Sequence, residues 1–113
     1  DGSMSRDFTY VDDIARGTVA ALAPLGYEII NLGGDHPHQV MELVGLIERR
    51  LGKSAEMAFE EAHPADVLAT WADIRKAESL LGWRPEILLE EGIARTVEWY
   101  EAERHWAREI PVY

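Results

Sequence analysis

Cysteine is absent from this 113-residue chain, which excludes disulfides, iron–sulfur clusters and zinc ribbons. Basic residues are scarce: 11 Lys and Arg stand against 21 Asp and Glu, a formal net charge of −10. A phosphate backbone needs a basic surface, so nucleic-acid binding is not expected. The same deficit argues against docking on anionic lipid. No apolar run reaches the ~18 residues that suggest a membrane span, and the first residues do not have the pattern of an export signal. A soluble, cytoplasmic protein is the expectation.

What is present suits one globular domain. The chain is 47% hydrophobic and carries four Trp, enough for a single core, and it is short for a complete nucleotide-binding enzyme. It opens on the turn residues "DGSMS" and enters a strand almost at once, which reads as a piece of a longer protein. Asp7, Phe8, Thr9, Tyr10 and Val11 alternate like a strand. The period then changes to 3.6, with Val11, Ile14, Ala15, Thr18, Val19 and Leu22 on one helix face. Residues 27–33, "YEIINLG", read as a buried strand ending at Gly33-Gly34. Val40, Leu43, Val44, Ile47 and Leu51 mark an amphipathic helix closed by Gly52. Residues 54–61 alternate like an edge strand, and a Pro-containing connection with one short extended piece follows. Asp73 can cap a short helix ended by Gly82, and Leu89, Ile93, Val97 and Tyr100 stripe a long last helix. The order is β-α-β-α-β-(β)-α-α, an α/β class in an α+β-like small domain, with about three main helices on a small sheet.

Several clusters invite a chemical reading. Gly33-Gly34 after a strand resembles a phosphate-cradling turn, but a dinucleotide turn needs three glycines at set spacing. Asp35 follows directly and would repel a phosphate, so a plain turn is expected. His36 and His38 flank Pro37 without the further convergent ligands of a metal site; surface histidines are expected and no metal. Asp12 and Asp13, adjacent at a helix start, diverge in direction, so helix capping is expected over paired-carboxylate catalysis. Arg6 offers a planar five-donor fork suited to a diphosphate, and equally to an ion pair with Asp7 or Asp12. His63 and Asp66 lie in the Pro-fixed turn "HPAD", usable for ribose hydroxyls or as an ordinary turn cap.

Three stretches carry a family resemblance: "GSMSRDFTYVDDIARGTVAAL", "YEIINLGGDHPHQVMELVGLIERRLGK" and "HPADVLATWADIRKAESLLGWRP...LEEGIARTVEWY". Together they resemble the C-terminal part of extended short-chain dehydrogenases/reductases of the NAD-dependent epimerase/dehydratase group, with the UDP-glucuronate 4-epimerase pattern nearest. The resemblance spans about residues 1 to 103 and implies a single C-terminal substrate-binding domain over 1–113, the sugar-nucleotide-binding portion of a Rossmann-type enzyme. It implies that Arg6 reaches the diphosphate, that His63 and Asp66 lie near the ribose and phosphates, and that Thr70 borders the hexose. In place of the family's usual residues, Ala65 stands for Gly, Leu68 for Pro and His63 for Arg or Gln.

The family's N-terminal Rossmann half supplies the glycine-rich NAD turn and a Tyr-x-x-x-Lys pair. Here Tyr10, Tyr27 and Tyr100 are followed four residues later by Ile14, Asn31 and Arg104. The resemblance therefore implies a nucleotide-sugar epimerase whose NAD site and catalytic residues lie outside this chain. It implies a UDP-sugar substrate, the N-terminal domain as partner, and a homodimer. The chain alone is expected to be inactive and to bind no cofactor. The alternatives are a non-catalytic interaction module derived from the family, or a related dehydratase or reductase.

Overall fold

The computed structural model describes residues 2–60 and 65–111. Its elements run β1 (Ser5–Arg6), α1 (Val11–Ala20), β2 (His38–Gln39), α2 (Val40–Leu51), α3 (Arg75–Leu81) and α4 (Leu89–Ala107). The two strands pair antiparallel, Ser5 opposite Gln39 and Arg6 opposite His38. A parallel bridge from Ser5 to Ala69 adds a third segment on the other side of β1. The α/β class holds, with four helices among the described residues.

The helix ends follow their sequence signals. Gly52 closes α2 at φ 62° and Gly82 closes α3 at φ 60°, left-handed conformations that glycine adopts without the Cβ penalty. The carboxylate of Asp73 accepts the backbone N–H of Arg75 at 3.1 Å at the start of α3. The Arg75 guanidinium bonds the same carboxylate and is the main reason the Asp73 carboxyl falls to about 2. α2 and α4 pack against each other, and Arg50 of α2 is ion-paired with Glu98 of α4.

The core gathers around Trp83, only 1% exposed, with Ile74 and Ala77. Ile30, Leu32, Ala72 and Leu81 pack against them. The Trp83 indole N–H donates to the Asp13 backbone oxygen at 2.9 Å, so the largest buried side chain leaves no polar atom unpaired. Helix α1 comes close at Gly17, where an added Cβ would stand 2.7 Å from Leu32 and 2.8 Å from the Trp83 indole.

Three expectations are corrected. The first strand is Ser5–Arg6, and Asp7 to Tyr10 form no ladder; the Asp7 carboxylate instead accepts N–H groups of neighbouring segments. Residues 27–33 form no strand and pair in no ladder with a described segment. Their burial still has a period of two, with Ile30 and Leu32 inward and Ile29 71% exposed. Residues 54–60 form no strand either. Helix α1 also presents an unexpected side to the core. Asp13 and Gly17 are buried, while Val11, Val19 and Leu22 of the apolar stripe face outward at 66%, 67% and 83% exposure. On α4, Trp99 and Trp106 meet edge to face at 5.7 Å, each about half exposed.

Candidate functional site

The small ladder is where candidate residues converge. Arg6 stands on β1 between His38 on one side and the 69–70 segment on the other. The backbone N–H of Ser5 donates to Leu68 O at 3.0 Å, and that of Thr70 donates to Ser5 O at 3.2 Å. Thr70 is thereby fixed next to Arg6, and its Oγ1 accepts the Asp7 N–H at 3.2 Å.

The Arg6 guanidinium folds along its own strand, donating to Ser5 O at 2.8 Å and approaching the Met4 sulfur at 3.6 Å. Among the described residues no carboxylate pairs with it. Both rivals are engaged elsewhere: Asp12 lies 3.7 Å from Arg95, and Asp7 binds backbone. A half-buried guanidinium without a counter-ion retains donors for an anion.

Asp7 is the joint of the site. Its Oδ2 accepts the N–H of Ala72 at 2.9 Å and of Asp35 at 3.2 Å, and its Oδ1 accepts that of His36 at 3.4 Å. The carboxylate ties β1 to the 33–36 turn and to the segment entering α3. This explains Gly33-Gly34. A Cβ on Gly33 would stand 2.2 Å from the Ala72 Cβ and 2.8 Å from Asp7 Oδ2, and one on Gly34 would stand 2.6 Å from Asp7 Oδ1. The turn is more than a plain one: its N–H groups hold an anion that is the protein's own carboxylate. That occupancy leaves this turn no cradle for a dinucleotide pyrophosphate.

Asp13 is likewise committed to structure. Its carboxylate is 1% exposed as a residue and accepts the N–H of Glu86 at 3.0 Å, the N–H of Ile87 at 2.9 Å and a guanidinium N–H of Arg16 at 2.6 Å. Burial opposes its charge most strongly, but these donors outweigh burial and hold the carboxyl below its ordinary 3.8. The capping expectation for the Asp pair is corrected: α1 begins after Tyr10 with no side-chain cap, and Asp13 instead clamps the 86–87 segment.

Of the sequence candidates, the ladder brings Arg6 and Thr70 together. Asp66 is exposed in the segment leading to the Ala69 bridge, and His63 lies outside the described residues. The sequence alone presents Asp7 only as an ion-pair partner for Arg6 and His38 only as a surface histidine. The signal for Asp7 was the Gly33-Gly34 pair, which needed a partner. A cavity of about 540 Å³ opens beside the ladder, lined by Phe8, Asp35, His36, His38 and Glu42 among others. No cluster of three metal-ligating side chains occurs among the described residues, and no helix among them is long and apolar enough to cross a membrane.

Known proteins match this arrangement over most of its length. A UDP-glucuronate 4-epimerase of Thermodesulfobacterium geofontis (strain OPF15) is 57% identical over 100 residues, 88% of this chain and 31% of that protein. The crystal structure of UDP-glucuronic acid 4-epimerase from Bacillus cereus, in complex with UDP-glucuronic acid and NAD, superposes with a TM-score of 0.83 at 38% identity, covering 91% of this chain and 34% of that one. The epimerase Mth375 of Methanothermobacter thermautotrophicus superposes with a TM-score of 0.90 at 33% identity, covering 97% and 34%. The chain thus spans about a third of the length of the relatives it matches. Fold and site together define an α/β domain of the extended short-chain dehydrogenase/reductase class. Within that class, the family model described as GDP-mannose 4,6 dehydratase matches residues 1–96, and the chain belongs to that family.

Proposed function

We propose that this chain is the sugar-nucleotide-binding part of a UDP-sugar 4-epimerase acting on UDP-glucuronate, with Arg6 on the diphosphate. The observation that carries the reading is the Arg6 guanidinium, half-buried and without a carboxylate partner among the described residues. A planar fork of this kind suits two phosphate oxygens at once. Thr70, held beside it by the Ser5–Ala69 bridge, borders the hexose, and its small side chain leaves room for the C5 carboxylate. Asp66 and His63 serve the ribose and phosphates from the preceding turn.

NAD and the proton-transferring residues belong to the upstream part of the longer protein, since the turn that could have cradled a pyrophosphate is filled by Asp7. Val19 of α1 and Leu22 just beyond its end, together with Ile29 and Tyr27, are apolar and exposed. We assign this surface to contact with that upstream part, because the matched relatives are about three times longer.

Titration calorimetry of the full-length protein with UDP-glucuronate tests the reading. Micromolar binding that is weakened in Arg6→Ala is expected, with turnover to UDP-galacturonate. Equal binding by wild type and Arg6→Ala would remove Arg6 from the diphosphate. The 113-residue chain by itself is expected to show no turnover with UDP-glucuronate and NAD.

A further inference from the structure

The strand pairing that holds Arg6 also sets a histidine beside it. Arg6 and His38 are directly opposed in the antiparallel pair. Opposed residues project from the same face, with Cβ atoms about 4.5–5.5 Å apart. His38 is in turn held by the first turn of α2, where Glu42 Oε2 lies 3.1 Å from its Nδ1. A carboxylate accepts from an Nδ1–H and fixes the ring, leaving Nε2 as the atom offered to a ligand. The His38 side chain is 29% exposed and, with Phe8, lines the cavity beside the ladder.

We propose that His38, oriented by Glu42, is a second anion-binding group of the sugar-nucleotide site, donating from Nε2 to a phosphate oxygen alongside Arg6. This rests on the diphosphate reading of Arg6. With Nδ1–H given to Glu42, an Nε2 that donates belongs to the imidazolium, so a ring that is neutral before binding takes up one proton with the ligand. Glu42 of α2, Asp35 of the preceding turn, Glu78 of α3, Glu86 ahead of α4 and Glu90 of α4 border His38 or its cavity. Arg6 of β1, Arg49 of α2 and Arg84 bring positive charge to the same place. The bound diphosphate adds its charge to the first group.

The test is titration calorimetry of the full-length protein with UDP-glucose, in two buffers of different ionisation enthalpy at one pH. The diphosphate diester of this probe carries no proton near neutrality, so net proton uptake reports on the protein. Wild type is expected to take up protons on binding, and His38→Phe and His38→Gln to lose that uptake. Affinity is expected to fall about three- to tenfold in His38→Phe, with part recovered in His38→Gln, which keeps an N–H donor. Uridine, which has no phosphate, is expected to bind all forms alike. Should His38→Phe not fold, Glu42→Gln, at an exposed helix position, is expected to lower uptake and affinity in the same direction. Unchanged affinity or unchanged uptake in the variant that folds overturns the proposal. Weakened binding in Arg6→Ala with none in His38→Phe sinks the role of His38 alone, whereas no effect of Arg6→Ala removes the diphosphate reading and this inference with it.

Discussion

The Asp7 carboxylate accepts the backbone N–H of Ala72 at 2.9 Å, across 65 residues of chain. With the bonds from Asp35 and His36, one side chain joins three segments that meet at the ladder. Hydrogen bonds to a charged group contribute about 1.5–3 kcal/mol each and are not additive. Asp7→Ala is therefore expected to destabilise the domain by about 2–4 kcal/mol, read as a lower midpoint in urea with an unchanged slope. A loss below about 0.5 kcal/mol would mean that solvent replaces the carboxylate at those N–H groups.

Arg6 should behave differently. A diphosphate contact is made alike in ground and transition states, because the chemistry occurs at the sugar carbon, so its loss appears in KM and little in kcat. In the full-length enzyme Arg6→Ala is expected to raise KM by roughly ten- to a hundredfold, and Arg6→Lys to recover only part, since an ammonium keeps the charge and loses the fork. Thermal stability should change little, because no ion pair of Arg6 is broken among the described residues. A lowered melting temperature with normal KM would instead place the side chain in a structural role.

Asp13 supplies a pH dependence whose sign follows from its depressed carboxyl. Its folded value lies below the ordinary 3.8, so the unfolded chain binds this proton more readily than the folded one. The stabilisation is fully present above the unfolded value and is lost as pH falls through the folded value. At neutral pH, Asp13→Asn is expected to cost about 2–3 kcal/mol, because one oxygen's acceptor role and the charge facing Arg16 are lost in a buried place. The difference between urea melts of wild type and variant should begin to shrink as pH falls to 3.8 and go on shrinking below it. A constant difference down to pH 2 would assign the effect to packing instead.

Two glycines in different surroundings give opposite expectations for the same substitution. Gly33→Ala forces a Cβ to within 2.2 Å of the Ala72 Cβ, and overpacking of this kind costs about 1–3 kcal/mol. Gly45→Ala, inside α2, meets only the end of Arg49 at 3.4 Å, a flexible group that can move aside. There the gain in helix propensity of about 0.5–1 kcal/mol should prevail. Melting temperatures of the two variants should lie on either side of wild type, and a destabilised Gly45→Ala would contradict the open geometry at that position.

The exposed Val19, at 67%, tests the surface assigned to the upstream part. Val19→Glu is expected to leave the melting temperature of the isolated chain within the range of an ordinary surface change. In the full-length protein the same substitution buries a carboxylate and should lower the melting temperature by several degrees. Equal effects in the two would mean that this face stays in water in both.

Local order and identity were written in the residues themselves. The 3.6 period of 40–51, the glycine stops at Gly52 and Gly82, and the paired blocks "SRDFTYVDD" and "WADIRKAESLLGW" are properties of neighbouring residues. Backbone propensity and side-chain periodicity act over a few residues, so they can be read without the fold. The same blocks placed the chain in its family. What only the tertiary structure decided concerns partners far apart in the chain. Residues 27–33 have a strand's composition but pair in no ladder with a described segment, and a ladder requires a neighbour. The apolar stripe of α1 faces outward because Gly17 permits a closer approach to Trp83 than its neighbours would allow. Asp7, read as an ion-pair partner for Arg6, and Asp13, read as a helix cap, each sent their carboxylate to backbone N–H groups 28 to 74 residues away. Because a carboxylate takes whichever donors the fold brings within about 3 Å, Arg6 has no carboxylate partner among the described residues, and strand pairing sets His38 opposite it.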